Sequence, residues 1–367
     1  MNNIVNYKEI MAFHPGYYVA EIVEEMGITQ AEFAARMGTT GKTLSNLING
    51  QINLSNDLAQ KLSIMMGSSV GFWLNLQKEF DENVIEINRQ REFDAQAEIV
   101  REIDYSYFEK VANLAPAKTT AEKVENLCRY FRIADLRILA KPDFLVNFRS
   151  AVPDTKVKNT INAQAWLQTA LNFAASVETE RFDGDKLKAN LPEIRKMTFQ
   201  EPEVFMPRLK QIFSECGVAF VLLPQLKNSG INGAVKWVNG DRAVLAMNDR
   251  RLYADTFWFS LFHETRHVLQ QKTKSVFVSS DIQEMQAVDD RLEKEADLFA
   301  QNYLIPPKAY RDFAPTRYTS DEEIAAFAEQ IGIHPGIVVG RLQHDGIIAQ
   351  NRCSSLKQKY QLCKGLD

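Results

Sequence analysis

The chain has only four cysteines in 367 residues, Cys128, Cys216, Cys353 and Cys363, and no two of them make a CxxC pair. That scatter argues against a cysteine-ligated metal or a disulfide framework and fits free thiols in a reducing compartment. No run of about 18 apolar residues occurs, so no membrane-spanning helix and no membrane partner are expected. The opening, MNNIVNYKEIMAFHPGYY, lacks a basic stretch followed by an apolar one. No signal peptide is read there, and the expected location is cytoplasmic. A basic excess is missing too: the formal net charge is -4, which argues against a globally basic nucleic-acid binder and leaves room for a local polar surface. Histidine is scarce, with five in the chain, so a spaced pair of them carries weight.

What is present has ordinary globular composition, 45% apolar and 25% charged, in a chain long enough for two or three domains. Three regions follow from its texture. Residues 1–80 read as short helices punctuated by Gly27, Gly38 and Gly50, a compact bundle. Residues 81–215 read as a charged connector helix followed by an all-α middle domain, broken by Pro142, Pro153, Pro192 and Pro202. In residues 216–367 the texture changes: GVAFVLLP, INGAVKWV and AVLAMN read as strands with a turn at Asn239-Gly240. Helices then return through TFWFSLFHETRHVLQQ and VDDRLEKEADLFAQNYL to a short helical tail. The expected class is mainly α with a small β-sheet.

His263-Glu264-Thr265-Arg266-His267 is an H-E-x-x-H pentapeptide. Residues i and i+4 share a helix face, so both imidazoles can reach one ion, zinc by the chemistry of such a donor set. Glu264 then stands beside the open coordination position, where it can act as the general base toward an activated water. The apolar run ahead of the motif buries this helix, and buried histidines need partners. A glutamate-rich helix follows and offers Glu293 or Glu295 as third ligand. The two differ by about 200° of rotation, so only one can face the histidines. Glu293 shares its face with Ala296, Asp297 and Ala300, small residues that permit a close helix approach. Glu293 is therefore the expected ligand, Asp297 the acceptor for the far ring nitrogen of a ligand histidine, and Glu295 a surface charge. Arg266 and Tyr253 are candidate oxyanion donors, with Arg266 expected to pair with Glu264 at rest. His14, His334 and His344 are expected in capping or surface roles.

Near the N-terminus, QAEFAARMG followed by TTGKTLSNLINGQ has the pattern of a helix-turn-helix. Ala34 is small where two helices cross, Gly38 begins the turn, and Leu44, Leu47 and Ile48 anchor the second helix from beneath. Thr40, Lys42, Thr43, Asn46 and Asn49 are left outward, able to meet base edges and phosphates in a major groove, and Gln30 is placed to hold a backbone phosphate. Residues 1–80 carry about five Lys/Arg against about seven Asp/Glu, so phosphate attraction is modest.

At these residues the chain resembles a fusion of two families. The stretch from HPGYYVAEIVEEMG to VGFWLNLQ is similar to the HigA-type antitoxins of the Xre helix-turn-helix family. Residues from about 217 to 306, with INGAVKWV, FSLF before HETRH, and EKEADLFAQNYLIP, resemble the ImmA/IrrE metallopeptidases. The tail HPGIVVGRLQHDGII is similar to the end of such fusions. The resemblance implies a bacterial or phage-derived regulator with a thermolysin-like zincin domain behind a DNA reader. In that family the ligand glutamate stands four residues before the acid of the EAD stretch, which implies Glu293. Arg266 departs from the small residue, often glycine, found before the second histidine.

The expected function is a DNA-binding transcriptional regulator carrying a zinc endopeptidase that cleaves one protein target, such as a repressor or antitoxin. A DNA operator is the expected partner, read by a homodimer because helix-turn-helix proteins commonly read paired half-sites. The alternative is a non-catalytic antitoxin and autorepressor that acts by binding a partner toxin and DNA.

Overall fold

The computed structural model describes residues 3–141, 157–250, 253–270, 282–313, 315 and 318–363. The chain is mainly α with small β-sheets and divides into two compact units, Met1–Glu98 and Ile99–Asp367. The 81–215 region of the sequence reading is thereby shared between both.

The first unit opens on an antiparallel hairpin that helical periodicity does not reveal, β1 (Ile4–Tyr7) and β2 (Ile10–Phe13). Four helices follow: α1 (Pro15–Glu25), α2 (Gln30–Arg36), α3 (Gly41–Ile48) and α4 (Asn56–Met66). Their starts are set by hydroxyl caps. Thr29, Thr40 and Ser55 each accept the backbone N–H three residues on, satisfying a donor that the first turn leaves open. At α1 the cap is His14, whose Nδ1 accepts from Gly16 N at 3.0 Å, with Pro15 pre-set for the first turn. Gly16 is required by packing: a Cβ there would sit 1.8 Å from the Leu47 carbonyl oxygen. Val19, Phe33, Ala34, Leu44, Leu47, Leu58, Leu62 and Trp73 make one core. Fully burying a side chain such as Phe33 or Leu44 contributes about 1.5–3 kcal/mol. The break expected near residue 80 is absent. α5 runs unbroken over Val70–Glu102, 33 residues, because no glycine or proline occurs between Gly71 and Pro116.

The second unit is built on a three-stranded sheet, β3 (Val218–Leu223), β4 (Gly233–Asn239) and β5 (Arg242–Asn248). Its order is β3-β5-β4, with β3 parallel and β4 antiparallel to the central β5. Alternate residues divide between two cores. Ala219, Val221, Leu223, Val244 and Ala246 join Trp166, Phe108 and Phe131 on one side. Those come from α6 (Tyr105–Val111), α7 (Thr120–Phe131) and α8 (Val157–Ala174). Val218, Phe220, Ala243, Leu245 and Met247 join the other side. That side holds α9 (Gly184–Lys196), α10 (Pro202–Glu215), α11 (Ala254–Gln270), α12 (Ile282–Leu304), α13 (Pro307–Phe313), α14 (Asp321–Ile331) and α15 (Pro335–His344). Cover on both faces explains why VAFVLL is continuously apolar rather than alternating. It also ties the middle helices to the sheet rather than leaving them as a separate domain.

Candidate functional site

α11 buries Phe257, Trp258, Leu261, Phe262 and Val268 in the core, which turns His263 and His267 toward α12, with His263 and Glu264 lining a cavity of about 590 Å³. On α12, Ala296 and Ala300 are wholly buried, and their small side chains let the two helices approach. The result is a cluster of three donor atoms. His263 Nε2 and His267 Nε2 are 3.0 Å apart, and Glu293 Oε2 lies 3.3 Å from each. Four donors placed tetrahedrally at the usual 2.0–2.1 Å from zinc would lie about 3.3 Å from one another. The donor set and its spacing therefore fit that ion. Among the described residues this is the one group of three histidine, cysteine or acidic side chains spaced for a metal.

The far nitrogens of both rings are also held. Asp297 Oδ1 lies 2.9 Å from His263 Nδ1, and Gln270 Oε1 lies 2.9 Å from His267 Nδ1. Two imidazole nitrogens and a carboxylate oxygen this close require a positive charge among them. Burial disfavours the imidazolium of His263, yet its bonds to Asp297 and Glu293 outweigh that and raise its pKa to about 10. Burial raises Glu293 as well, but the two histidines more than reverse it and hold its carboxyl well below the usual range.

Glu264 sits next to this cluster. Burial raises its carboxyl pKa, His263 and His267 oppose the rise, and Glu293 adds to it. Room for it is left by Gly233 at the start of β4: a Cβ there would lie 2.9 Å from Glu264 Cγ and 3.0 Å from Oε1. The cavity runs along α11 from Glu264 past Phe259 to Asp255 and is closed by α15 with Gly340, Arg341 and His344. Asp255 ion-pairs with Lys357 at 2.8 Å, and Gly340 packs so tightly that a Cβ would fall 2.4 Å from Asp255 Oδ2.

Arg266 does not reach Glu264. Its Nη2 lies 3.5 Å from Glu295 Oε2 and its guanidinium 5.7 Å from the Phe299 ring centroid. Two residues apart on a helix, Arg266 and Glu264 point in nearly opposite directions. Glu295 is thus partnered by Arg266, with Arg291 3.8 Å away. Tyr253 is exposed beside Lys357 and Lys359 and is not among the cavity-lining residues. His334 caps α15 through Gly336 N at 3.1 Å, whereas His344, exposed at the end of that helix, lines the cavity. Sequence reasoning missed the contribution of the tail. Gly336 and Gly340, spaced four apart in GIVVG, were the available signal for a closely packed helix.

In the first unit, Phe33 and Ala34 of α2 and Leu44, Leu47 and Ile48 of α3 are buried, with Gly38 in left-handed conformation between the helices. Gln30, Thr40 and Lys42 are exposed, while Thr43, Asn46 and Asn49 are half-buried. Three of the six have structural duties, the Thr43 hydroxyl bonding that of Thr40 at 2.9 Å. Thr40 caps α3, and Asn49 closes it by donating to Ser45 O at 2.8 Å. Lys42 and Asn46 make no such bonds among the described residues, which leaves them the more available for a ligand.

A helix-turn-helix family model matches residues 19–73, and the model of the IrrE N-terminal-like domain, a peptidase family, matches residues 221–342. Over 87 residues the chain is 36% identical to the HTH-type transcriptional regulator YddM of Escherichia coli, covering 22% of this chain and 93% of that protein. Over 61 residues it is 44% identical to antitoxin HigA-1 of Vibrio cholerae, covering 17% of this chain and 57% of the antitoxin. Over 69 residues it is 36% identical to virulence-associated protein A' of Dichelobacter nodosus, covering 18% of this chain and 60% of that protein.

Proposed function

From a chain that belongs to the helix-turn-helix family through residues 19–73 and to the IrrE N-terminal-like family through residues 221–342, we propose a DNA-binding regulator that is also a zinc endopeptidase of narrow specificity. The observation that carries the enzymatic half is the convergence of His263 Nε2, His267 Nε2 and Glu293 Oε2 at 3.0–3.3 Å beside Glu264, on a cavity of about 590 Å³. His263, His267 and Glu293 would hold the zinc. Bound zinc would supply Lewis acidity, activating a water and polarising an amide carbonyl. Glu264 takes the proton of the attacking water at its carboxylate and returns it to the leaving amine, a role favoured by the burial that raises its pKa. Asp297 holds the His263 ring by its Nδ1 proton. The wall that α15 and the Asp255–Lys357 pair put on the cavity favours one protein target over peptides in general.

In the regulatory half, α3 enters a major groove. Asn46 and Thr43 read bases there, Lys42, Thr40 and Asn49 contribute contacts at its ends, and Gln30 meets a phosphate. A homodimer on an inverted repeat is the expected assembly. The likeness to antitoxin HigA-1 favours a second reading, in which the chain binds a partner toxin without cutting it.

One experiment separates the two. Wild type and Glu264→Gln are each expressed beside candidate partners, starting with proteins encoded next to this one, and fragments are sought. The peptidase reading expects fragments with wild type alone and at least a ~100-fold slower cleavage in the variant, with DNA binding unchanged. No fragment from any partner, with every biological activity kept by Glu264→Gln, would leave the binding role in its place.

A further inference from the structure

Asp297 accounts for the orientation of His263, but the second histidine of the pair has its own partner at the very end of α11. Gln270 Oε1 lies 2.9 Å from His267 Nδ1, and the same amide's Nε2 donates to the backbone carbonyl of Leu292 at 3.0 Å. The two contacts together remove an ambiguity that an amide and an imidazole would otherwise share. A carbonyl oxygen only accepts, so the edge of Gln270 facing Leu292 must be its NH2. Its oxygen therefore faces His267, and that oxygen only accepts too. His267 must then carry a proton on Nδ1, and Nε2 is the nitrogen that faces His263 Nε2 and Glu293 Oε2, 3.0 and 3.3 Å away. A backbone carbonyl on one helix thus dictates the tautomer of a histidine on another.

The position of that carbonyl adds a second consequence. Leu292 immediately precedes Glu293, so the Gln270 amide ties the end of α11 to the peptide that carries the third donor. The same nitrogen lies 3.4 Å from Glu295 Oε2, which in turn pairs with Arg266 at 3.5 Å. Gln270 therefore bridges the two ligand-bearing helices at the level of the cluster.

We propose that Gln270 is a positioning residue of the metal centre: it fixes His267 as the Nδ1–H tautomer and sets the distance from the histidine helix to Glu293. This rests on the zinc-site reading above, and its test is arranged so that the two fail differently. The first arm uses the zinc-free full-length chain with 15N-labelled histidine, whose five rings can be resolved by long-range 15N–1H correlation. His267 should show a protonated Nδ1 in wild type. Gln270→Leu, which can neither accept nor donate, should shift the ring toward a mixture of tautomers. Gln270→Glu keeps an acceptor for the ring and should restore the wild-type signature. The second arm measures zinc affinity by competition with a chromogenic chelator. Gln270→Leu should bind about 10–100-fold more weakly than wild type, the usual cost of losing a partner behind a ligand, with Gln270→Glu closer to wild type.

A wild-type spectrum with Nδ1 unprotonated would overturn the proposal outright, and it needs no variant to fold. So would a folded Gln270→Leu protein that keeps both the spectrum and a zinc affinity within about twofold of wild type. Wild type that binds no zinc but shows the Nδ1–H tautomer would instead remove the metal reading and leave the bridging role of Gln270 standing.

Discussion

Arg195, near the end of α9, joins the carbonyl ends of two other helices. Its Nε and both Nη atoms donate to the carbonyls of Tyr303, Leu304, Ile331 and Gly332 at 2.8–3.2 Å. These are the open carbonyls at the ends of α12 and α14, where a cation also complements the helix dipole. Burial lowers the pKa of the guanidinium but leaves it charged. A charge-assisted bond contributes about 1.5 kcal/mol at the lower end of its range, so four carbonyls amount to about 6 kcal/mol. Desolvating the partly buried guanidinium offsets about half of that, leaving a net of about 3 kcal/mol. Arg195→Met keeps the stem and removes the donors. For a unit of this size its melting transition should fall by roughly 5–10 °C. Arg195→Lys, with one nitrogen for four carbonyls, should lie between. The assay is thermal unfolding followed by tryptophan emission, since Trp166, Trp237 and Trp258 belong to the second unit and only Trp73 to the first. A drop of less than ~2 °C for Arg195→Met would refute the reasoning.

Binding to an inverted-repeat DNA should fall steeply with added salt. By gel shift, Lys42→Ala should weaken all sequences alike, whereas Asn46→Ala should relax base preference; a random-site selection yielding no preferred sequence would count against α3 as the reader. His14 caps α1 only as a neutral ring, and burial lowers its pKa despite the opposing charge of Asp81. Because the unfolded chain then takes up the proton more readily, this contribution is whole above the ordinary histidine pKa and shrinks as pH falls below it. Hydrogen-exchange protection factors in α1 and α3 should fall on acidification in wild type and less so in His14→Asn, which caps without titrating; an equal fall would contradict the assignment. Asp297→Ala should reduce zinc affinity about 10–100-fold while leaving the fold intact, as judged by circular dichroism.

Much of this was legible in the sequence where the signal is local. The i, i+4 spacing of His263 and His267 needs only a helix to bring their rings together. The alanines at 296 and 300 mark the face of α12 that packs against α11, and with it which of Glu293 and Glu295 looks inward. Gly27, Gly38 and Gly50, all at positive φ, likewise mark the ends of α1, α2 and α3. What stayed hidden depends on distant segments or on missing turn chemistry. The β1–β2 hairpin turns at Lys8, which takes a left-handed φ of 52° without the Asn-Gly or Asp-Gly that normally marks such a turn. Nothing in VAFVLL or AVLAMN says that they pair in parallel around the core, or that the helices before residue 175 cover one face of the sheet. Gln270 looks like a polar helix end until α12 is docked beside it. The cavity wall from α15 and Lys357 needs the tail to return across the N-terminus of α11.

The central claim is that His263, His267 and Glu293 form a zinc site, and metal analysis of purified protein prepared without chelator tests it most directly. About one zinc per chain is predicted for wild type and for Glu264→Gln, almost none for His263→Ala or His267→Ala, and a far greater loss for Glu293→Ala than for Glu295→Ala. Zinc-free wild type that also fails to take up added zinc, or a greater loss with Glu295→Ala than with Glu293→Ala, would contradict it.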